Sequence, residues 1–495
     1  MKAMLSWFTL LVATISWTGG RCASDTDRQQ IKRVDGTVVY VDEMERYVAA
    51  VMDSAGVTGL QLAIINDGEV VYTQEFGLKS RAAGRAPDSE TIFAGCSLSK
   101  PVFAYLVMQL AEEGRLDLDR PLVDYLAKPI EEYQRWVDLK GDPRVREITT
   151  RRVLTHTTGW PNLRGMMEGG KLGFLYPPGE RFSYSGEAFS FLQFIIEQIT
   201  GTTVDVLARE RIFIPLGMSR TSYVWDEAFE ANCADGHTET QRRFNITRSL
   251  EADAGGSLVT TAADFSRFAA AVMGAKGLKQ ASVDQMLAPQ VRVVSKRMFG
   301  PLARETMEDT TAIHLSWGLG WGLFAGDFGP AFFHTGHAPG WENYAVAYRN
   351  QKIGIVLLSN SSNFESIAQR VAVRAIGDHH SPFGWLGFEP FDPSVPPPPA
   401  EPERQTVPID STIYHAVIGR YETGSGQWVE LAVRSGRLAA STDGKYWDEV
   451  MAFSETQFFI DGKPWDFTFA RDSDGTVSGL IISLEGMEIP AEKIR

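Results

Sequence analysis

The sequence predicts an α+β domain followed by a small antiparallel β domain, barrel or sandwich. Three observations carry this. Strand-like runs lie at both ends of residues 35–385, with a mostly helical stretch between them. Residues 386–408 are rich in proline: 8 of the 19 positions from Pro390 to Pro408, including Pro396 to Pro399, a composition that favours an extended, semi-rigid spacer. Residues 409–495 then carry only short strand runs separated by turn signals.

In chain order, Lys2 precedes an apolar run from Ala3 to Trp17, and small residues follow up to Ala23. This pattern reads as a secretory signal peptide over residues 1–23, because the apolar run is shorter than the roughly 20 residues of a spanning helix. An uncleaved anchor is the alternative, whereas a lipid anchor on Cys22 is disfavoured by the bulky Arg21 before it. Met44, Tyr47, Val48 and Val51 follow helical spacing and predict a helix over 41–54. Apolar runs at 60–65 and 70–76 flank Asn66-Asp67-Gly68-Glu69, a hairpin signal. A helix is expected over 97–113, closed by Gly114, and another over 189–200, closed by Gly201. Strands are expected at 315–324, 331–334, 344–349 and 353–359, then a helix over 365–376. Beyond the spacer, strands are expected at 428–433, 457–460, 466–471 and 480–484, with turns near Lys445 and at Asp474-Gly475.

Composition excludes several classes. A chain of 495 residues is long enough for two or three domains and a large core. Its 44% hydrophobic and 22% charged residues are those of a globular protein. The net charge of −14 argues against nucleic acid as a partner, since phosphate binding needs cations. The three cysteines, Cys22, Cys96 and Cys233, form no CxxC pair. No Gly-x-Ser-x-Gly elbow, HExxH or phosphate loop is present, and Asp378-His379-His380 lacks a further ligand cluster, so no metal or cofactor is expected. No segment after the signal is apolar enough to span a membrane.

Ser97-Leu98-Ser99-Lys100 is an S-x-x-K motif opening a strong helix. Three residues apart on a helix, Ser97 and Lys100 share a face, and the helix N-terminus favours negative charge developing there. Alone the motif is equally well a serine cap beside a solvated lysine. Tyr184-Ser185-Gly186 and His334-Thr335-Gly336 follow, flanked by Leu154-Thr155-His156-Thr157-Thr158-Gly159, Pro215-Leu216-Gly217-Met218 and Ala254-Gly255-Gly256-Ser257-Leu258. In order, spacing and flanks these resemble the serine β-lactamase and penicillin-binding protein superfamily, in the branch of class C β-lactamases, DD-carboxypeptidases, D-aminopeptidases and related esterases. The likeness covers roughly residues 40–380.

The resemblance implies a β-lactamase-like fold over 35–385, with Ser97 as acylated nucleophile and Lys100 taking or holding its proton. Such a lysine requires burial or a cationic neighbour to depress its pKa. Tyr184 would share that proton and deliver it to the leaving group. The strand with His334, Thr335 and Gly336 would line the opposite wall, and the N–H groups of Ser97 and His337 would form an oxyanion hole. Two departures stand out. The family's Tyr-x-Asn is Tyr184-Ser185-Gly186, without the asparagine amide, and its Lys-Thr-Gly is His-Thr-Gly, with His334 expected to be only partly charged. His156 reads as a structural turn residue, Cys96 as a packed thiol, and Trp160, Trp321 and Trp341 as core rather than as the wall of an acyl pocket. The sequence therefore predicts a periplasmic or secreted serine hydrolase acting on small peptide, amide or ester substrates. A true β-lactamase and a non-catalytic penicillin-binding sensor or scaffold remain as alternatives.

Overall fold

A computed structural model describes residues 28–307, 313–401, 406–408, 411–424, 428–434, 436–442, 447–460, 463, 465–484 and 487–494. The expected signal peptide over 1–23 and the turn near Lys445 lie outside these residues.

The first unit is an eight-stranded antiparallel sheet with helices on both faces. Its order is Glu69–Gly77, Gly59–Asn66, Ile353–Ser359, Trp341–Tyr348, Gly329–Ala338, Gly322–Gly326, Ser316–Trp317 and Val291–Arg292. The last strands thus pair with the first, Leu60 opposite Ser359, and the chain from 78 to 290 is inserted between them. Strand alternation explains why apolar residues run continuously here. Leu60, Leu62 and Ile64 enter one core with Met44, Val48 and Met52 of helix Val41–Ala55 and Ile367 and Val371 of helix Glu365–Ile376. Ala63 and Ile65 enter a second core, with helices Ser99–Glu112, Gly186–Thr200 and Ala262–Met273. A strand buried on both faces has no polar side to show.

The hairpin at 66–69 turns where expected, with Asp67 and Gly68 both at positive φ (55° and 82°). The strand expected over 315–324 is instead two strands, Ser316–Trp317 and Gly322–Gly326, paired with each other across a reversal. Gly318 N donates to Trp321 O at 2.8 Å, and Gly320 at φ 84° packs so tightly that a Cβ would lie 2.3 Å from that of Ala104. Apolar content hid a glycine turn.

The C-terminal unit is a closed antiparallel barrel, which decides between barrel and sandwich. The four expected strands are present as Trp428–Arg434, Gln457–Ile460, Trp465–Arg471 and Val477–Leu484. They join Gly419–Thr423, Arg437–Ser441, Asp448–Ala452 and Met487–Lys493, and Tyr421 opposite Lys493 closes the ring. Tyr421, Leu431, Leu438, Phe458 and Phe467 fill its interior. Among the described residues no helix is long and apolar enough to cross a membrane.

Candidate active site

Strand Phe93–Cys96 pairs with Leu258–Thr260 and delivers the chain to Ser97. Cys96 sits at φ 51°, a left-handed conformation that costs a non-glycine residue about 1–2 kcal/mol and turns the backbone sharply before the serine. The helix begins at Ser99, two residues later than expected. Ser99 Oγ donates to Cys96 O (2.6 Å) and accepts from Leu258 N (2.9 Å), and Tyr223 Oη donates to Ser99 O (2.6 Å), so the turn is locked from three sides. Lys100 is buried, with Nζ 3.1 Å from Ser97 Oγ and donating to Gly255 O at 2.6 Å. The same Nζ lies 4.9 Å from the Tyr184 ring centroid and 5.6 Å from that of Phe189. Gly255, inside the 254–258 stretch, anchors the lysine through its backbone, which its side-chain-free sequence could not signal.

Ser185 caps helix Gly186–Thr200 by accepting from Ala188 N (3.1 Å), which sets Tyr184 just ahead of the helix. His156 does more than shape a turn. Its ring stacks on Tyr184, centroids 4.2 Å apart, and its Nδ1 accepts from Ser185 N at 3.1 Å. Burial, followed by the charge of Lys100, pushes its pKa well below the usual value, so the ring is neutral. Gly186 N donates to Asn162 Oδ1 and to Asn162 O, both at 3.0 Å. A Cβ at 186 would lie 3.0 Å from that carbonyl. Asn162, which sequence reading missed, thus crowds the position where the family places its asparagine. Next to it, buried Glu187 accepts from Arg164 Nη2 (2.9 Å) and Nε (3.2 Å); although burial raises its pKa, the arginine's hydrogen bonds pull it below the ordinary range.

Strand Gly329–Ala338 pairs on one side along 331–338, but with Gly322–Gly326 only as far as Phe333. Residues 334–338 therefore run on beyond the end of that neighbour. Gly336 lies against strand Phe93–Cys96: a Cβ there would be 2.3 Å from Gly95 O. Asn343 Nδ2, on the neighbouring strand Trp341–Tyr348, donates to Ala94 O (2.9 Å) and ties that strand to Phe93–Cys96. His334 corrects an expectation. It is fully buried among Trp317, Trp321 and Tyr184, with Nδ1 donating to Thr335 O at 2.7 Å. Burial and then Lys100 push its pKa down to about 3, so it is neutral rather than partly charged. Thr335 is nearly buried, while the His337 side chain is exposed and its Nδ1 is hydrogen-bonded to the buried carboxylate of Glu342.

Cys96 is buried, its thiol pushed up to about 12 by burial. Trp160, Trp321 and Trp341 are all core residues, Trp160 stacked on Trp136 and Trp321 on Phe268. Asp378 accepts from Tyr348 Oη (2.6 Å) and Ser381 N (3.0 Å).

The fold therefore sets a serine beside a buried amine, with a tyrosine ring over that amine, next to an eight-stranded sheet with helices on both faces. The Beta-lactamase family model matches residues 44–377, and the chain belongs to that family. It is 24% identical over 466 residues to penicillin-binding protein 4* of Bacillus subtilis, covering 86% of this chain and 93% of the relative. It is 26% identical over 215 residues to a D-aminopeptidase of Brucella canis, covering 41% of this chain and 40% of that protein. The fold is similar to that of an octameric penicillin-binding protein homologue from Pyrococcus abyssi, at TM-score 0.55 and 20% identity over 91% of this chain and 100% of that one.

Proposed function

We propose that the chain is an exported serine hydrolase that passes through an acyl-serine at Ser97 and acts on small peptides, amino-acid amides or esters. One observation carries the reading: Ser97 Oγ stands 3.1 Å from Lys100 Nζ, which is itself buried against the Tyr184 ring. In this reading Ser97 Oγ attacks the substrate carbonyl and gives its proton to the Lys100–Tyr184 pair. Tyr184 returns the proton to the leaving group as the bond to it breaks, and water later releases the acid. The N–H groups of Ser97 and His337 hold the oxyanion, and the contact of Gly336 with Gly95 O supports their approach. His334 serves as neutral packing behind Tyr184, and Thr335 and the exposed His337 face the substrate. Residues 1–23 direct export to the periplasm or medium, 35–385 form the hydrolase, 386–408 the linker and 409–495 the accessory module.

Slow or absent cephalosporin turnover follows from two positions. Gly186 offers no amide, and neutral His334 supplies no cation for the drug's carboxylate. Steady-state assays decide between the readings: we expect p-nitrophenyl esters of short acids to be cleaved far more efficiently than nitrocefin. The reverse ranking restores the β-lactamase reading, and acylation without turnover restores the sensor.

A further inference from the structure

Residues 236–244 form a short hairpin that meets the barrel at its tip and the strands of the candidate site at its base. Gly236–His237 pairs with Arg243–Phe244. The tip is closed by Gln241 N donating to Thr238 O and Thr238 N to Arg242 O, both at 3.0 Å. From there Arg242 Nη2 donates to Asp466 Oδ1 (3.0 Å) and Lys463 O (3.2 Å) of the barrel. Thr240 Oγ1 donates to Glu401 Oε1 of the proline-rich segment at 2.7 Å. At the base, His237 N is shared between Gly340 O (3.3 Å) and Asn360 O (3.0 Å). Gly340 takes φ 77° in the turn that joins the strand of His337 to that of Glu342, and a Cβ there would lie 2.6 Å from His237 N. Gly236 packs as closely, since a Cβ on it would lie 2.6 Å from Trp341 Nε1. The His237 ring is fully buried and held by both nitrogens, Nδ1 donating to Asn360 O (3.2 Å) and Nε2 accepting from Arg81 N (3.3 Å). Burial pushes its pKa below the ordinary value, which preserves that neutral bonding pattern.

We infer that Arg242 is a positioning residue of the hydrolase: through this hairpin the barrel holds the turn at Gly340, and with it the His337 N–H of the oxyanion hole. The inference rests on the proposed function, because the oxyanion hole is what makes the place of His337 matter. The route is short. Arg242 precedes Arg243, which pairs with His237, and His237 N donates to Gly340 O, three residues after His337. Where the hairpin meets the turn, neither Gly236 nor Gly340 has room for a methyl group, so a shift of one moves the other. An oxyanion donor works through its preorganised position, so a small displacement of this turn changes the rate and leaves the fold intact.

Proximity alone does not establish coupling, so the test is a double-mutant cycle in the full chain. It is read as the second-order rate of Ser97 labelling by a fluorophosphonate, and as kcat and KM for a p-nitrophenyl ester. Arg242→Ala should slow labelling about two- to fivefold and lower kcat with KM nearly unchanged, a part-exposed ion pair setting that ceiling. Asp466→Ala should slow labelling in the same direction, and the double variant should be no slower than Arg242→Ala alone. Arg242→Lys, which keeps the charge, should recover part of the rate. An unchanged labelling rate in folded Arg242→Ala overturns the inference, whatever happens to Tm. So does a double variant whose loss is the product of the two single losses, since the arginine would then act apart from the barrel. Failure of the hydrolase reading looks different: a fluorophosphonate then leaves Ser97 of the unmodified chain unlabelled.

Discussion

At the scale of single residues, the site depends on side chains that are missing as much as on those present. Gly336 and Gly95 O are so close that Gly336→Ala must push apart the strand carrying Cys96 and the strand lining the site. Displacements near 1 Å at a reacting centre cost about a hundredfold. We therefore expect Gly336→Ala to slow acylation by a fluorophosphonate about a hundredfold, measured as the second-order labelling rate. Gly186 is constrained in the same way by Asn162, so Gly186→Asn should not create cephalosporin turnover by itself; efficient nitrocefin cleavage by that single variant would contradict the crowding seen here. His156→Leu removes the ring stacked on Tyr184 and leaves Ser185 N–H without its acceptor, a loss of about 1–3 kcal/mol. Calorimetry should show a lowered Tm, and kcat should fall more than KM rises. That Ser97 and Lys100 lie together was legible in sequence from their three-residue spacing, and that Tyr184 joins them from the family resemblance of its motif. The neutral state of His334 was not, since it depends on Trp317 and Trp321 burying the ring from outside its own strand.

Among the elements, helix Glu365–Ile376 was read to the residue, its apolar positions recurring at helical spacing and Gly377 ending it at φ 75°. Its first residue holds a charge problem that no periodicity reveals. Burial, and then the neighbouring carboxylate of Glu342, push Glu365 up to about 7. A carboxyl whose folded pKa exceeds its unfolded value binds more protons in the folded state, so stability falls as pH rises from about 4.5, the ordinary carboxyl value, to about 7. Glu365→Gln should accordingly raise Tm at pH 8 and leave it nearly unchanged at pH 4; equal shifts at both values would refute the assignment. The 315–324 run and the barrel mark where element reading stops working. Trp317 and Leu323 look continuous in sequence although they lie on opposite arms of a turn. Arg437–Ser441, rich in alanine, has little strand propensity and is held by pairing with Glu430 to Arg434.

For the whole molecule, the barrel fills a core of its own apart from the two cores of the first unit, which predicts independence of the barrel. Among the contacts that join the units, Arg242 donates to Asp466 Oδ1 (3.0 Å) and to Lys463 O (3.2 Å), and a part-exposed ion pair of this kind is worth roughly 0–1 kcal/mol. A chain ending near residue 403 should therefore remain folded and keep a labelled serine; an insoluble or molten product would mean that the barrel completes the catalytic core. The central claim is that Ser97 becomes acylated with the help of Lys100 and Tyr184, and intact-mass spectrometry of the full chain after fluorophosphonate or penicillin treatment tests it most directly. One adduct per chain is expected, absent in Ser97→Ala and formed orders of magnitude more slowly in Lys100→Ala and Tyr184→Phe, because a proton relay acts as a unit. An adduct that persists at full stoichiometry in folded Ser97→Ala would contradict the account.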